Sequence, residues 1–169
     1  LHRAFATDLG LDPAFFEDKL DRPLATLRLL HYPPQPETVE VGQYGAGEHT
    51  DYGCVTLLAT DDVGGLEVRT RDGEWLRAPV IADSYVCNIG DCLMRWTNDI
   101  YVSTPHRVVN PAGRERYSVA FFLDPNPDAI VGCLPGCAGP DRPAKYPPIR
   151  GDDYLTSRLN PTYAKSGLA

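Results

Sequence analysis

The stretch Gly47-Glu48-His49-Thr50-Asp51-Tyr52-Gly53 leads directly into Cys54-Val55-Thr56-Leu57-Leu58, an apolar run that predicts a β-strand. Successive side chains of an extended chain point to opposite faces, so His49 and Asp51 share one face while Thr50 points away. An imidazole and a carboxylate placed in this way can hold a divalent metal ion from one side. The stretch therefore predicts two ligands of a metal site beside a strand.

A third ligand is expected from His106, which lies in the segment Ser103-Thr104-Pro105-His106-Arg107-Val108-Val109. Two histidines and one carboxylate on one side of a metal ion, with the other positions open, suit a non-haem Fe(II) oxygenase. An isolated His-x-Asp triplet is also common in solvated loops and in hydrogen-bonded pairs. The metal interpretation therefore depends on what the rest of the chain supplies.

The segment Arg116-Tyr117-Ser118 precedes a second apolar run, Val119-Ala120-Phe121-Phe122-Leu123. On a strand, Arg116 and Ser118 share a face and offer a planar guanidinium fork beside a hydroxyl. This pair suits a carboxylate, because the fork can donate two parallel hydrogen bonds. The chain thus combines a metal-ligand set with a carboxylate-binding pair.

Together, His49-Thr50-Asp51, His106 and Arg116-Tyr117-Ser118 resemble the HxD…H…RxS pattern of the 2-oxoglutarate/Fe(II)-dependent dioxygenases. The closer resemblance is to the branch that contains isopenicillin N synthase and the plant flavonoid and gibberellin oxygenases, and it extends from about residue 27 to residue 125. Four flanking features also fit that branch: Leu30-His31-Tyr32-Pro33-Pro34, Gly64-Gly65-Leu66-Glu67-Val68, Trp75 and Asn88-Ile89-Gly90-Asp91.

The resemblance implies an all-β core, a double-stranded β-helix (jelly roll) with short flanking helices. The many short strands separated by turn signals independently favour a barrel or sandwich. It also implies an oxidoreductase that uses Fe(II), 2-oxoglutarate and O2 to hydroxylate or otherwise oxidise a small organic molecule, with release of succinate and CO2. The implied metal ligands and catalytic residues are His49, Asp51 and His106.

The same resemblance implies that the distal carboxylate of 2-oxoglutarate is bound by Arg116 and Ser118, with Tyr32 as a further contact. In plant relatives an Asn two residues before this Tyr also contacts 2-oxoglutarate, but Leu30 stands at that position here. Phe122 shares a face with Arg116 and Ser118, and the resemblance places an aromatic residue there in the substrate pocket. Packing in the core would explain Phe122 almost equally well.

Three other functions are compatible with parts of this pattern. A zinc hydrolase could use the same three ligands, but it would leave Arg116 and Ser118 without a purpose. A metal-binding or inactive jelly-roll binding domain is a second alternative. A third is an oxidase that, like isopenicillin N synthase, does not use 2-oxoglutarate.

Composition bounds the remaining possibilities. The 169 residues suffice for one domain, and 43% hydrophobic and 23% charged residues are typical of a globular protein. A net charge of −7 argues against nucleic acid or an anionic membrane as a partner, and there is no apolar run long enough to span a bilayer. The five cysteines contain no Cys-x-x-Cys pair and predict buried free thiols, hence a cytoplasmic protein. The oligomeric state stays open.

We expect residues 1–169 to be a single catalytic domain with a core at about 25–125 and a C-terminal tail at 126–169, and to lack the N-terminal region of the family. Within it, the sequence predicts a helix over 13–20 and a short helix over 152–159. It also predicts strands over 85–89 and 92–96 on either side of a turn at Gly90-Asp91. Arg107 and Arg114 are expected to be solvated or paired, and His31 to face away from the site.

Overall fold

The computed structural model describes residues 1–36, 44–110 and 113–166, with side chains described as far as residue 160. These residues form three α-helices: α1 (His2–Asp8), α2 (Asp91–Trp96) and α3 (Gly151–Ser166). A short 3-10 helix, Glu17–Lys19, follows α1. The strands are β1 (Ala25–Tyr32), β2 (Ala46–His49), β3 (Val55–Thr60), β4 (Leu66–Arg69), β5 (Trp75–Arg77), β6 (Val86–Ile89), β7 (His106–Val108), β8 (Arg116–Leu123), β9 (Ile130–Val131) and β10 (Ile149–Arg150).

Two four-stranded antiparallel sheets form the core, in the orders β1-β8-β3-β6 and β2-β7-β4-β5. This is the jelly-roll architecture that the sequence predicts. Strand β8 lies at the centre of the first sheet, and its side chains alternate between buried and exposed from Arg116 to Ala120. Since a strand has a side-chain period of two, Arg116, Ser118 and Ala120 face the interior between the sheets.

On the opposite face of the first sheet, apolar side chains of β1 and β8 are exposed to solvent. Leu27 and Leu29 of β1 are 62% and 78% exposed, and Tyr117 and Val119 of β8 are also exposed. His31 stacks on Tyr117 with 4.6 Å between ring centroids, so it faces away from the interior as expected.

Two apolar clusters hold the fold together. The larger one joins the helices and the tail to the end of the sheets, and it contains the buried Phe16, Leu93, Trp96, Val131 and Tyr154. The smaller one lies between the sheets. It joins Leu58 and Ala120 of the first sheet to Leu66 of the second.

The predicted strand over residues 92–96 is wrong, because Asp91–Trp96 forms helix α2. Gly90 is its N-cap, and Asp91 supplies the acidic residue that favours a helix start. Gly90 is also needed for close packing, since a Cβ there would lie 2.1 Å from the carbonyl oxygen of Gly53. Within α2, Leu93 and Trp96 lie one turn apart, so both reach the larger cluster.

Other predictions of local structure need smaller corrections. The predicted helix over 13–20 reduces to the 3-10 helix Glu17–Lys19, and helix α1 was not predicted. The C-terminal helix begins one residue before the predicted start and extends to Ser166. None of the helices in the described ranges combines the length and the apolar character that crossing a bilayer requires.

Candidate active site

The three predicted metal ligands converge at one end of the gap between the sheets. Strands β2 and β7 pair so that His49 lies directly opposite His106, and Asp51 follows β2 by two residues. One ligand atom from each side chain can be chosen so that all three lie within 4.8 Å of one another. The two imidazole rings are 4.3 Å apart, and His106 Nε2 lies 3.6 Å from Asp51 Oδ1. Such spacing allows all three to bind one metal ion.

Backbone carbonyls orient both histidines. His49 Nδ1 lies 2.7 Å from the carbonyl oxygen of Gly47, and His106 Nδ1 lies 3.0 Å from that of Thr104. If each Nδ1 carries the proton and donates it to its carbonyl, each Nε2 presents a lone pair. Second-sphere hydrogen bonds of this kind are typical of metal-binding histidines. His106 and Asp51 are buried while His49 is exposed, so the site is open on the His49 side.

The carboxylate ligand is supported by residues at the end of β6 and at the start of α2. Asn88 Nδ2 approaches Asp51 Oδ2 at 3.4 Å, and the Asp91 amide donates to the Asp51 carbonyl at 2.8 Å. The Asp91 carboxylate in turn accepts a hydrogen bond from Thr50 Oγ1 at 3.1 Å and pairs with Arg158 of α3. Helix α3 is therefore tied to the metal-ligand loop through one buried carboxylate.

Arg116 lies deeper between the sheets and is fully buried. Its Nε donates to the carbonyl oxygen of Gly64 at 2.6 Å, and its Nη1 makes a long contact of 3.4 Å to Ser118 Oγ. The ring of Tyr32 lies 4.7 Å from the guanidinium carbon. Among the described residues no hydrogen-bond partner reaches the buried Nη2.

The unpartnered Nη2 of Arg116 indicates what the site binds. A buried charged donor without a partner is costly, and a carboxylate is the partner that a guanidinium fork fits best. The site residues therefore fit both groups that the sequence implies. A His-Asp-His set suits Fe(II), and the buried guanidinium suits the distal carboxylate of 2-oxoglutarate.

A single cavity of about 210 Å³ joins the two parts of the site. Its lining includes the six residues predicted to bind iron or 2-oxoglutarate, and it also includes the predicted substrate residue Phe122. Leu30 lines the cavity at the position where plant relatives have Asn. The sequence interpretation missed three polar lining residues: Arg28, Thr56 and Asn88. Their parity in β1, β3 and β6 would have placed them on the inner faces once the register was known.

Residues predicted to lie outside the site do so. Arg107 pairs with Glu67 at 2.8 Å, and Arg114 pairs with Asp62 at 3.3 Å. All five cysteines are free, although Cys87 is exposed and does not fit the expectation of a buried thiol. The only cluster of three or more potential metal ligands among the described residues is His49, Asp51 and His106.

Comparison with known families gives a direct match. The model of the 2OG-Fe(II) oxygenase superfamily matches residues 23–125, which is more than half of the chain. The chain belongs to the 2OG-Fe(II) oxygenase superfamily. The family's metal is Fe(II) and its co-substrate is 2-oxoglutarate, in agreement with the cofactors that the sequence resemblance implied.

Members of the 2OG-Fe(II) oxygenase superfamily from several organisms are similar to this chain. The 2-oxoglutarate-Fe(II) type oxidoreductase hxnY of Emericella nidulans is 42% identical over 163 residues, which cover 95% of this chain and 47% of that protein. The crystal structure of full-length Neurospora crassa T7H with alpha-KG and thymine has a TM-score of 0.90 and 40% identity. The match covers 96% of this chain and 51% of T7H. The structure of JOX2 with 2OG, Fe and JA has a TM-score of 0.82 and 33% identity, covering 92% of this chain and 46% of JOX2.

The chain thus spans about half the length of the curated relatives that it matches. The matched half contains the jelly roll and all residues of the candidate site. Family membership follows from the superfamily match over residues 23–125, and the two structures at 40% and 33% identity support the fold.

Proposed function

We propose that this chain carries the active site of an Fe(II)- and 2-oxoglutarate-dependent oxygenase that oxidises a small organic molecule. The observation that carries the proposal is the placement of His49, Asp51 and His106 in the same cavity as a buried arginine with an unpartnered nitrogen. A three-ligand metal set alone would fit several metalloenzymes. The buried guanidinium adds a site for a dicarboxylate.

The proposal divides the site residues into two groups. His49, Asp51 and His106 would hold Fe(II). The bound metal would supply oxidation of the substrate by O2, coupled to conversion of 2-oxoglutarate to succinate and CO2. Arg116 and Ser118 bind the distal carboxylate, and the Tyr32 ring excludes water from the guanidinium face.

Burial strengthens these contacts. Arg116 is fully buried, and a charge-assisted hydrogen bond is stronger in such a low-dielectric environment.

The lining residue Phe122 lies on β8 two positions beyond Ala120, towards the end of the strand that is remote from Arg116. We propose that it contacts the substrate.

The substrate is proposed to be a small molecule. T7H binds thymine and JOX2 binds JA in the structures with which this chain shares its fold. The cavity of about 210 Å³ contains the proposed metal ligands, the carboxylate clamp and Phe122. We also propose the cytoplasm as the compartment, since all five thiols are free.

Anaerobic optical titration of the Fe(II)-loaded protein with 2-oxoglutarate tests the proposal. Chelation of 2-oxoglutarate to the iron gives a visible charge-transfer band, and we expect the band in the wild type. His49→Ala and Asp51→Ala should abolish both iron binding and the band. As a control, His31→Ala removes an exposed imidazole on the outer sheet face and should leave the band unchanged.

The alternative functions predict other results. An oxidase that does not use 2-oxoglutarate, or a metal-binding domain without activity, would bind iron and give no band. An inactive binding domain that has lost its metal site would bind no iron. A zinc hydrolase leaves the buried Arg116 without a role, and the named relatives do not favour it. Retention of iron by both ligand variants would refute the ligand assignment.

A further inference from the structure

Two polar side chains of the cavity lining, Thr56 and Asn88, are neither metal ligands nor part of the carboxylate clamp. Thr56 of β3 is paired with Asn88 of β6 on one side and with Phe122 of β8 on the other. Side chains directly opposite each other on antiparallel strands have Cβ atoms about 4.5–5.5 Å apart. The three side chains therefore form a row across the inner face of the first sheet, with Thr56 in the middle.

Thr56 carries a buried hydroxyl without a protein partner. The residue is only 4% exposed, and its Oγ1 makes no hydrogen bond to any part of the chain that the structure describes. Buried polar groups are normally hydrogen-bonded, so each exception calls for an explanation such as a bound water or a ligand. Because Thr56 lines the cavity, its hydroxyl is available to a molecule that binds there.

Asp51 fixes the orientation of the Asn88 carboxamide. An ionised carboxylate only accepts hydrogen bonds, so the group that lies 3.4 Å from Asp51 Oδ2 is the NH2 of Asn88. The carboxamide oxygen, Oδ1, is then left without a donor among the described residues. The cavity wall thus offers a free acceptor on Asn88 beside a free donor on Thr56.

A donor next to an acceptor selects one geometry of amide. In an open-chain amide the N–H and C=O groups point in opposite directions, because the trans form is strongly preferred. A small ring forces both groups to the same edge, where one molecule can reach both partners. A cyclic amide, or lactam, is therefore the neutral group that matches this pair.

We infer that Thr56 and Asn88 bind the substrate, and that the substrate carries a cyclic amide edge. This inference rests on the proposed function. The Thr56 hydroxyl donates to the amide carbonyl oxygen, and the amide N–H donates to Asn88 Oδ1. Phe122 completes the row and packs against the ring. Since Asn88 also contacts Asp51, the ring is held at a fixed place relative to the metal.

Isosteric pairs of lactams and lactones test the inference without turnover. Anaerobic protein loaded with Fe(II) and 2-oxoglutarate is titrated by calorimetry with 2-quinolone and coumarin, 2-pyridone and 2-pyrone, and δ-valerolactam and δ-valerolactone. A lactone replaces the N–H by an oxygen, which would face the carboxamide oxygen of Asn88. We expect the lactam of at least one pair to bind the wild type at least about tenfold more tightly than its lactone. The charge-transfer band is followed in parallel, and its persistence shows that the probe has not displaced 2-oxoglutarate.

Four variants localise the effect. Thr56→Val removes the hydroxyl and should weaken a lactam and its lactone alike, by roughly 5- to 50-fold, because both have the carbonyl. Thr56→Ser should restore binding to within about threefold of the wild type. Asn88→Leu should bring the lactam-to-lactone ratio to about one, measured at saturating Fe(II) because this variant also loses the contact with Asp51. Thr26→Val is the matched control, since Thr26 is paired with Phe122 from β1 but is exposed and does not line the cavity.

The outcomes separate this inference from the proposed function. Absence of the charge-transfer band in the wild type would refute the proposed function itself. With the band present, lactones that bind as tightly as their lactams, or a panel in which no lactam binds, would overturn the substrate inference. A preference for lactams that persists in Asn88→Leu, or binding that Thr56→Val leaves unchanged, would also overturn it.

Discussion

Replacing Arg116 by lysine separates two roles of this side chain, an anchor to the protein and a fork for the co-substrate. Nε is committed to the carbonyl of Gly64 at 2.6 Å, while Nη2 is buried without a partner among the described residues. A guanidinium can therefore keep its anchor and still present two nitrogens to a carboxylate. An ammonium group has one nitrogen, so Arg116→Lys loses at least one charge-assisted hydrogen bond to 2-oxoglutarate.

The size of the effect follows from the type of bond lost. A hydrogen bond to a charged group contributes about 1.5–3 kcal/mol. At about 1.36 kcal/mol per factor of ten, this loss corresponds to a roughly 10- to 150-fold higher dissociation constant for 2-oxoglutarate. Iron affinity should change little, because Arg116 is not one of the three metal ligands.

The assay is the anaerobic titration of the charge-transfer band with 2-oxoglutarate, at a fixed Fe(II) concentration. Arg114→Lys is a matched control, since Arg114 lies two residues earlier and forms an exposed pair with Asp62 at 3.3 Å. A dissociation constant within about twofold of the wild type, in a folded Arg116→Lys protein, would refute the clamp. Arg116 would then be a structural residue that ties β8 to Gly64.

Three further predictions concern the surroundings of the site. Leu30→Asn should lower the dissociation constant of 2-oxoglutarate in the same titration, because it restores the amide present in plant relatives; an unchanged value would show that this position does not contact the co-substrate. Arg158→Gln should weaken Fe(II) binding roughly tenfold, because it frees α3 from the buried Asp91 that supports the ligand loop. Metal titration measures this, and wild-type affinity in a folded variant would contradict the prediction. Burial raises the pKa of Asp124 from 3.8 to about 6. As the pH rises from about 4 to 6, Asp124 therefore loses its proton in the unfolded chain before it does so in the folded one, and the free energy of unfolding falls by about 3 kcal/mol. Asp124→Asn should remove this part of the fall in urea unfolding measured across that range, and an equally steep fall in the variant would exclude Asp124 as its source.

The sequence predicted the parts of the site whose geometry is local. His49 and Asp51 are two residues apart, as are Arg116 and Ser118, and the period of a strand fixes which of them share a face. The convergence of the two pairs in one cavity depends on how the strands pair. The family resemblance implied the fold, and the observed pairing of β2 with β7 and of β3 with β8 agrees with that fold.

Other features depend on tertiary contacts that the sequence pattern does not contain. A short apolar run such as Cys92–Trp96 is compatible with a strand or a helix, and here its packing against Phe16 and Val131 favours the helix. Arg28 was missed for a similar reason. A single arginine in β1 has a definite parity, but only the pairing with Ala120 shows that its face is the inner one.

The position of the site between two sheets has a consequence for the length of the co-substrate. The histidine ligands belong to the sheet β2-β7-β4-β5, and the carboxylate clamp belongs to the sheet β1-β8-β3-β6. Packed sheets lie about 10 Å apart, and here Leu58, Leu66 and Ala120 pack between them beside the cavity. The separation of the two sheets thus sets the distance between the metal ligands and the guanidinium of Arg116. We expect oxaloacetate to be too short and 2-oxoadipate too long to connect the two ends. A larger side chain at Ala120, which lines the cavity, should therefore alter the choice of oxoacid although Ala120 is neither a metal ligand nor part of the clamp.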